Sequence, residues 1–109
     1  IQKTLLNQII QNFLQNALKF TPEQNTITVK SYLNYYGLKI EIYDEGIGVD
    51  ENVDLFAPFK RVGNQQGVGL GLFLAKSAAD ALDAKISIKN RLLSKGTIAS
   101  LEIKTNLTC

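Results

Sequence analysis

An acidic residue followed by alternating glycines, Asp44-Glu45-Gly46-Ile47-Gly48, comes directly after a stretch of alternating apolar residues. Glycine lets the backbone approach a flat ligand closely and adopt positive φ angles. A carboxylate at this point could accept a hydrogen bond from an exocyclic amine of such a ligand. An ordinary acidic, glycine-rich turn would have the same composition, so the pattern alone leaves both interpretations open.

A second glycine pattern, Gly67-Val68-Gly69-Leu70-Gly71-Leu72, leads directly into a predicted helix. Backbone N–H groups that converge at a helix N-terminus form an anion site, which the helix dipole strengthens. A Walker loop is excluded because no Gly-Lys-Ser/Thr follows, and the Rossmann fingerprint is excluded because no strand precedes the glycines. A flexible connector remains the alternative.

Two asparagines lie on the first predicted helix. At 100° per residue, Asn16 falls inside the apolar arc formed with Ile9 and Phe13, whereas Asn12 lies at its edge. A buried amide without a partner costs about 1–3 kcal/mol. Asn16 therefore either bonds a ligand or has a structural role, capping a strand end or bonding a neighbouring backbone group.

Between the two glycine patterns lies the segment Leu55-Phe56-Ala57-Pro58-Phe59-Lys60-Arg61. Its aromatic residues could anchor the loop in a core groove, and the two cations that follow could reach a polyphosphate. A loop with a hydrophobic tether and no ligand is the alternative.

These residues must be positioned by a small set of predicted elements. Helical and alternating apolar periodicities predict helices and strands in the order helix, hairpin, long loop, helix, hairpin. The helices are predicted over 1–20 and 68–81, and the strands over 26–35, 38–43, 85–90 and 97–104. This order predicts an α/β (α+β) two-layer sandwich, with a mixed, largely antiparallel sheet covered on one face by helices.

Composition limits the function classes further. With 109 residues the chain is expected to form a single domain, 1–109, and its start at Ile1 suggests an N-terminally truncated fragment. A net charge of +2 gives no reason to expect nucleic-acid binding, and no stretch is apolar enough to span a membrane. The only cysteine, Cys109, fits a reducing compartment. The chain contains no histidine.

Each pattern is weak alone, but their order resembles that of one family. Asn12-x-x-x-Asn16-Ala17-Leu18-Lys19-Phe20 resembles the N box of histidine kinases, Asp44-x-Gly46-x-Gly48 the first glycine box, Phe56-x-x-Phe59 the F box, and Gly67-x-Gly69-x-Gly71 the second glycine box. The chain therefore resembles the catalytic and ATP-binding domain of a bacterial sensor histidine kinase of two-component systems. That domain has the Bergerat fold of the gyrase, chaperone, kinase and mismatch-repair superfamily.

The resemblance implies a role for each matching residue. Asp44 would bind the adenine amine, Gly46 and Gly48 would shape the base pocket, and Asn16 would hold Mg²⁺. Asn12 and Arg61 would take part in catalysis on the phosphate side. The other residues implied in ATP binding are Lys19, Phe20, Phe59, Lys60, Gly67, Val68, Gly69, Leu70, Gly71 and Leu72. Phe20 stands where the family usually has tyrosine, and the segment between Arg61 and Gly67 is shorter than usual.

The resemblance also indicates which reaction to expect. ATPases of the superfamily carry a glutamate in the N box, and an amide such as Asn12 cannot take a proton at neutral pH. Phosphoryl transfer therefore fits better than hydrolysis, with the accepting histidine on a dimerisation domain of the same kinase and a response regulator downstream. A cytoplasmic, monomeric fragment is expected, whether or not the parent kinase is anchored in the inner membrane. An anti-sigma-factor type kinase and a non-catalytic scaffold are the alternatives.

Overall fold

The computed structural model describes residues 3–35, 37–57 and 70–104. In chain order its elements are α1 (Lys3–Phe20), β1 (Thr28–Leu33), β2 (Gly37–Tyr43), α2 (Gly71–Leu82), β3 (Lys85–Asn90) and β4 (Thr97–Lys104). All six predicted elements are present, and β3 and β4 have the predicted bounds.

The four strands form one sheet in the order β1-β2-β4-β3. Each of the three pairs is antiparallel, so no parallel pair occurs among the described strands and the sheet is antiparallel there. The two hairpins join through β2 and β4, where Tyr43 is the register partner of Ile98. This pairing brings the end of β2 beside the start of β4, although the two are far apart in the sequence.

The core lies between the sheet and the two helices, which pack against each other. Helix α1 contributes Ile9, Phe13 and Ala17 to the core, and these residues follow the predicted apolar arc. Helix α2 contributes small side chains, and the sheet contributes mostly large aliphatic ones. The buried apolar residues of these elements are Ala75, Ala78 and Ala79 on α2, and Ile40, Ile42, Ala99, Leu101 and Ile103 on the sheet. The two-layer α/β architecture is therefore confirmed.

Strand β1 differs most from its prediction. It is shorter at both ends than the predicted 26–35, and all six of its residues are exposed. Thr26 lies before the strand, where its N–H donates to Glu45 Oε1 at 2.7 Å. At the other end the N–H of Asn34 donates to the Gly37 carbonyl at 3.0 Å, which closes the turn. Alternation predicted the strand but did not show that it lies at the sheet edge.

Helix α2 begins later than predicted. Leu70 is its N-cap residue, so the helix starts at Gly71 and not near Val68. At the other end the helix extends to Leu82, one residue beyond the prediction, and Asp83 adopts a left-handed conformation with φ of 55°. The N–H of Ala84 then donates to the Ala79 carbonyl at 2.8 Å, a common way of ending a helix.

Candidate functional site

The centre of the candidate site is the carboxylate of Asp44, the residue that follows β2. Its side chain is buried, yet it is well supplied with hydrogen bonds. Oδ1 accepts from the N–H of Gly46 at 2.9 Å and from the N–H of Thr97 at 3.0 Å. Oδ2 accepts from the Thr97 hydroxyl at 2.5 Å. A carboxylate offers about four acceptor positions, and the described residues fill three of them, which leaves one position on Oδ2 for a further donor.

The backbone around Asp44 is packed so closely that side chains are excluded. A Cβ at Gly46 would lie 2.5 Å from the carbonyl oxygen of Phe20, so the segment after β2 lies against the end of α1. A Cβ at Gly96 would overlap the carbonyl oxygen of Asp44, and Gly96 has a φ of +115°. Glycine is therefore required at both Gly46 and Gly96 for the backbone to pack in this way around Asp44.

Asp44 lines a shallow cleft that opens to solvent. The walls come from the end of α1, the segment after β2, the start of α2 and the second hairpin. They are formed by Asn16, Phe20, Asp44, Ile47, Gly48, Val49, Leu55, Leu72, Ile88 and Thr97. A mostly apolar cleft with a few convergent polar groups is typical of a small-molecule site. Its composition suits a flat heterocycle that carries a hydrogen-bond donor.

The two asparagines of α1 differ in their surroundings. Asn16 is half-buried, lines the cleft and makes no side-chain hydrogen bond with another described residue. Among the described residues, Asn16 thus neither caps a strand nor bonds neighbouring backbone, which were the structural alternatives. Asn12 instead donates from Nδ2 to the Gln8 carbonyl of its own helix at 2.9 Å. Its Oδ1 faces Gly71, at 3.3 Å from where a Cβ of that residue would lie.

The remaining described residues of the predicted site lie around the same opening. Phe20 is half-buried and lines the cleft, whereas Lys19 is exposed, with its Nζ 5.6 Å from the centre of the Phe20 ring. Leu70 and Gly71 stand at the start of α2, and Leu72 lines the cleft. The α1 end, the segment after β2 and the start of α2 are therefore brought together as the motifs predict.

Six predicted site residues lie outside the described part of the chain, so their roles stay predictions. They are Phe59, Lys60, Arg61, Gly67, Val68 and Gly69.

Three residues near the cleft were missed by the sequence analysis. Thr97 bonds Asp44 twice, Asn90 bonds the backbone of Val49, and Arg91 Nη1 donates to the Asp44 carbonyl at 3.1 Å. No local pattern marks them, because each acts on a segment more than 40 residues earlier in the chain. The one available signal was a polar residue, Thr97, at the first position of a strand directly after a glycine.

Tyr43, the residue before Asp44, has two cations against its aromatic ring. The Tyr43 ring has Lys30 Nζ at 4.6 Å and Arg91 Cζ at 5.5 Å from its centre. The Tyr43 hydroxyl donates to Glu41 Oε1 at 3.0 Å. This hydrogen bond raises the pKa of Tyr43 above its ordinary value of 10.0, as do burial and the negative charge of Glu41. The Tyr43 ring thus lies against the Arg91 guanidinium that donates to the Asp44 carbonyl.

No group of three or more His, Cys, Asp or Glu side chains within residues 3–35, 37–57 and 70–104 could hold a metal ion alone. Mg²⁺ is, however, often bound through one or two protein oxygens together with waters and substrate phosphates. The carboxamide of Asn16, half-buried on the cleft wall and unbonded to other described residues, fits such a partial ligand.

Comparison with known sequences identifies the family. The profile of the family described as "Histidine kinase-, DNA gyrase B-, and HSP90-like ATPase" matches residues 1–107. The sensor protein KdpD of Clostridium acetobutylicum is 38% identical over 95 residues, which are 81% of this chain and 11% of that protein. The histidine protein kinase DivJ of Caulobacter vibrioides is 35% identical over 105 residues, 90% of this chain and 17% of that protein. The chain thus spans about a tenth to a sixth of these relatives' length.

Solved structures of histidine kinases resemble this chain as well. The catalytic domain of histidine kinase ThkA superposes with a TM-score of 0.83 at 28% identity, covering 95% of this chain and 68% of that one. A mycobacterial sensor histidine kinase, MprB, shares the fold with a TM-score of 0.84 at 22% identity, covering 95% of this chain and 72% of that one. Neither helix of the described chain is long and apolar enough to cross a bilayer.

The chain belongs to the histidine kinase-, DNA gyrase B- and HSP90-like ATPase family, and the relatives and the solved catalytic domain that it resembles are those of sensor histidine kinases.

Proposed function

We propose that this chain binds ATP together with Mg²⁺ in the cleft and donates the γ-phosphoryl group to a histidine on a separate dimerisation domain. The observation that carries the proposal is the Asp44 carboxylate, buried at the side of a mostly apolar cleft with one acceptor position left on Oδ2. The exocyclic amine of adenine is the donor that this position suits, while Phe20, Ile47 and Ile88 give the ring apolar walls.

The phosphate side of the site follows from the same orientation. With the base against Asp44, the polyphosphate would extend toward Asn12, Asn16 and the start of α2. Asn16 would then offer its carboxamide oxygen to Mg²⁺, which supplies charge neutralisation to the phosphates when bound. Lys19, Lys60 and Arg61 are the cations, and Gly67, Gly69 and Gly71 the backbone donors, that we assign to the phosphates. Phosphoryl transfer depends mainly on such positioning and charge stabilisation.

Transfer is favoured over hydrolysis because of Asn12. Its carboxamide nitrogen donates to the Gln8 carbonyl, and an amide cannot accept a proton from water at neutral pH. The attacking group is instead an imidazole nitrogen, which forms a P–N bond as the bond to ADP breaks and its proton is released to solvent. No histidine is present in this chain, so the acceptor belongs to another domain.

The length of the relatives supports the partners that we propose. KdpD and DivJ are far longer than this chain, so a kinase of this type has room for the dimerisation domain that carries the acceptor. We assign a response regulator as the next phosphoryl acceptor, and the cytoplasm as the compartment because ATP and the regulator are present there.

Labelled ATP distinguishes transfer from other functions. The chain would be mixed with a separately expressed dimerisation domain of the parent kinase, and in parallel with a copy whose acceptor histidine is replaced by glutamine. We expect acid-labile label on the first domain and none on the second, at a rate limited by docking without a covalent link. Label on both domains, or ATP binding with no transfer to either, would contradict the proposal.

A further inference from the structure

A bidentate contact joins the end of β3 to the segment that follows Asp44. The carboxamide of Asn90 accepts from the N–H of Val49 at 2.8 Å and donates from Nδ2 to the carbonyl of the same residue, also at 2.8 Å. One side chain thus satisfies both polar groups of one residue that is 41 positions away in the sequence. Val49 has no strand or helix partner, so Asn90 takes the place of secondary structure there.

Two neighbours tighten the same contact. The N–H of Asn90 itself donates to Glu51 Oε2 at 3.2 Å, which joins β3 to the loop a second time. Gly48 passes so near to Asn90 that a Cβ on it would lie 2.8 Å from Asn90 Oδ1, and its φ is +85°. This is a conformation that other residues adopt at a cost. The backbone path through Gly48 and Val49 is therefore fixed by Asn90.

The next residue holds the other end of the segment. Arg91 donates from Nη1 to the carbonyl of Asp44 at 3.1 Å. The last residue of β3 and the residue after it thus hold the last and the first residue of the segment 44–49. Within that segment Gly48 and Val49 line the cleft, and Asp44 offers its remaining acceptor position.

We infer that Asn90 is a positioning residue that sets the shape of the base-binding wall and thereby the preference for adenine over guanine. It does not line the cleft and acts through Val49. This inference rests on the proposed binding of ATP. Without the carboxamide, the N–H and carbonyl of Val49 turn to water, and the wall adopts additional conformations. Some of these no longer hold the ring of adenine against Asp44, and some accommodate a differently substituted base.

The test compares two nucleotides on one variant. In calorimetry with Mg²⁺ and non-hydrolysable analogues, we expect Asn90→Ala to weaken ATP-analogue binding by about five-fold or more. Binding of the GTP analogue is expected to weaken less, so the ratio of the affinity for the ATP analogue to that for the GTP analogue falls. Partial unfolding lowers both affinities by the same factor and leaves the ratio unchanged. An unchanged ratio would therefore overturn the inference.

A second readout needs no nucleotide. Val49 N–H is expected to exchange with solvent faster in Asn90→Ala than in the unmodified chain, because its acceptor is lost. The matched control is Asn52→Ala, which removes an exposed asparagine of the same loop. It should leave the affinity ratio and Val49 exchange as they were. If Val49 exchange is also unchanged in Asn90→Ala, the contact does not position the loop and the inference fails.

The two proposals fail in different ways. An unmodified chain that binds no ATP analogue contradicts the proposed function itself. If the unmodified chain prefers the ATP analogue and the Asn90→Ala variant prefers it to the same extent, only the role of Asn90 is contradicted.

Discussion

Thr97 bonds both oxygens of the Asp44 carboxylate, donating from its N–H to Oδ1 at 3.0 Å and from its hydroxyl to Oδ2 at 2.5 Å. Both side chains are buried, at 5% and 6% exposure. A carboxylate removed from water in this way depends on charge-assisted hydrogen bonds to remain stable. The contact therefore belongs to the fold and to the site together, because Asp44 also lines the cleft.

Removing the Thr97 hydroxyl while keeping its shape should destabilise the domain. We expect Thr97→Val to lower the free energy of unfolding by about 1–3 kcal/mol, since Oδ2 of Asp44 loses its only donor from the described residues. Thr97→Ser keeps the hydroxyl and should cost less. Urea denaturation of the two variants measures the difference. A Thr97→Val variant as stable as the unmodified chain would show that this hydrogen bond does not stabilise the domain.

Adenine recognition should depend on the charge of Asp44. Asp44→Asn can keep the bonds from Gly46 and Thr97, because the Thr97 hydroxyl can accept as well as donate. The remaining acceptor, however, becomes a donor that opposes the amine of adenine. We expect ATP affinity to fall by at least about 1.4 kcal/mol, a factor of ten, with little loss of stability.

Calorimetry with ATP and GTP analogues checks this prediction. GTP has an acceptor where adenine has its amine, so the unmodified chain should bind it poorly. Equal binding of the two nucleotides by the unmodified chain would remove Asp44 from base recognition.

The elements of the fold were predictable because their signals are local. The apolar arc of α1 and the alternation of β2 each appear within one turn or a few residues. Asp44 was found for the same reason, since a carboxylate and two glycines lie together in the sequence. Thr97 and Asn90 could not be found, because their roles depend on the register of β2 with β4 and on the path of the loop after β2. Both are set by tertiary packing.

Asn16 shows how a local pattern can leave two outcomes open. Its position in the apolar arc predicted burial, and the arc is observed, but only the neighbouring elements decide whether an amide there finds a protein partner. Here it faces the cleft, without a hydrogen bond to any other described residue. The exposure of β1 follows similarly, because alternation identifies the two faces of a strand but not whether another element covers either of them.

Asn16→Ala should act on the metal-dependent part of binding. The substitution removes no hydrogen bond seen among the described residues, and alanine is a good helix former, so the domain should stay folded. We expect the difference between nucleotide affinities measured with Mg²⁺ and with EDTA to disappear. Circular dichroism provides the control for folding. An unfolded variant, or one whose affinity still rises with Mg²⁺, would show that Asn16 is structural.

The raised pKa of Tyr43 leads to a prediction about its titration at alkaline pH. Its hydrogen bond to Glu41, burial and the charge of Glu41 all favour the protonated phenol, so the pKa in the folded state lies above 10.0. The stabilisation this provides is complete below pH 10 and is lost as pH rises through the folded-state pKa. Phenolate absorbance should show Tyr43 titrating earlier in Glu41→Gln than in the unmodified chain, with Tyr43→Phe identifying its signal. An unshifted titration in Glu41→Gln would exclude Glu41 as the cause.

ATP turnover by the chain alone should be near background. The carboxamide of Asn12 donates to the Gln8 carbonyl and cannot accept a proton, so no base is available at this position to activate water. A coupled assay that detects released phosphate measures this directly, with the added dimerisation domain as the condition under which ATP is consumed. Brisk phosphate release by the chain alone would instead assign it the hydrolytic chemistry found elsewhere in the superfamily, and another residue would have to supply the base.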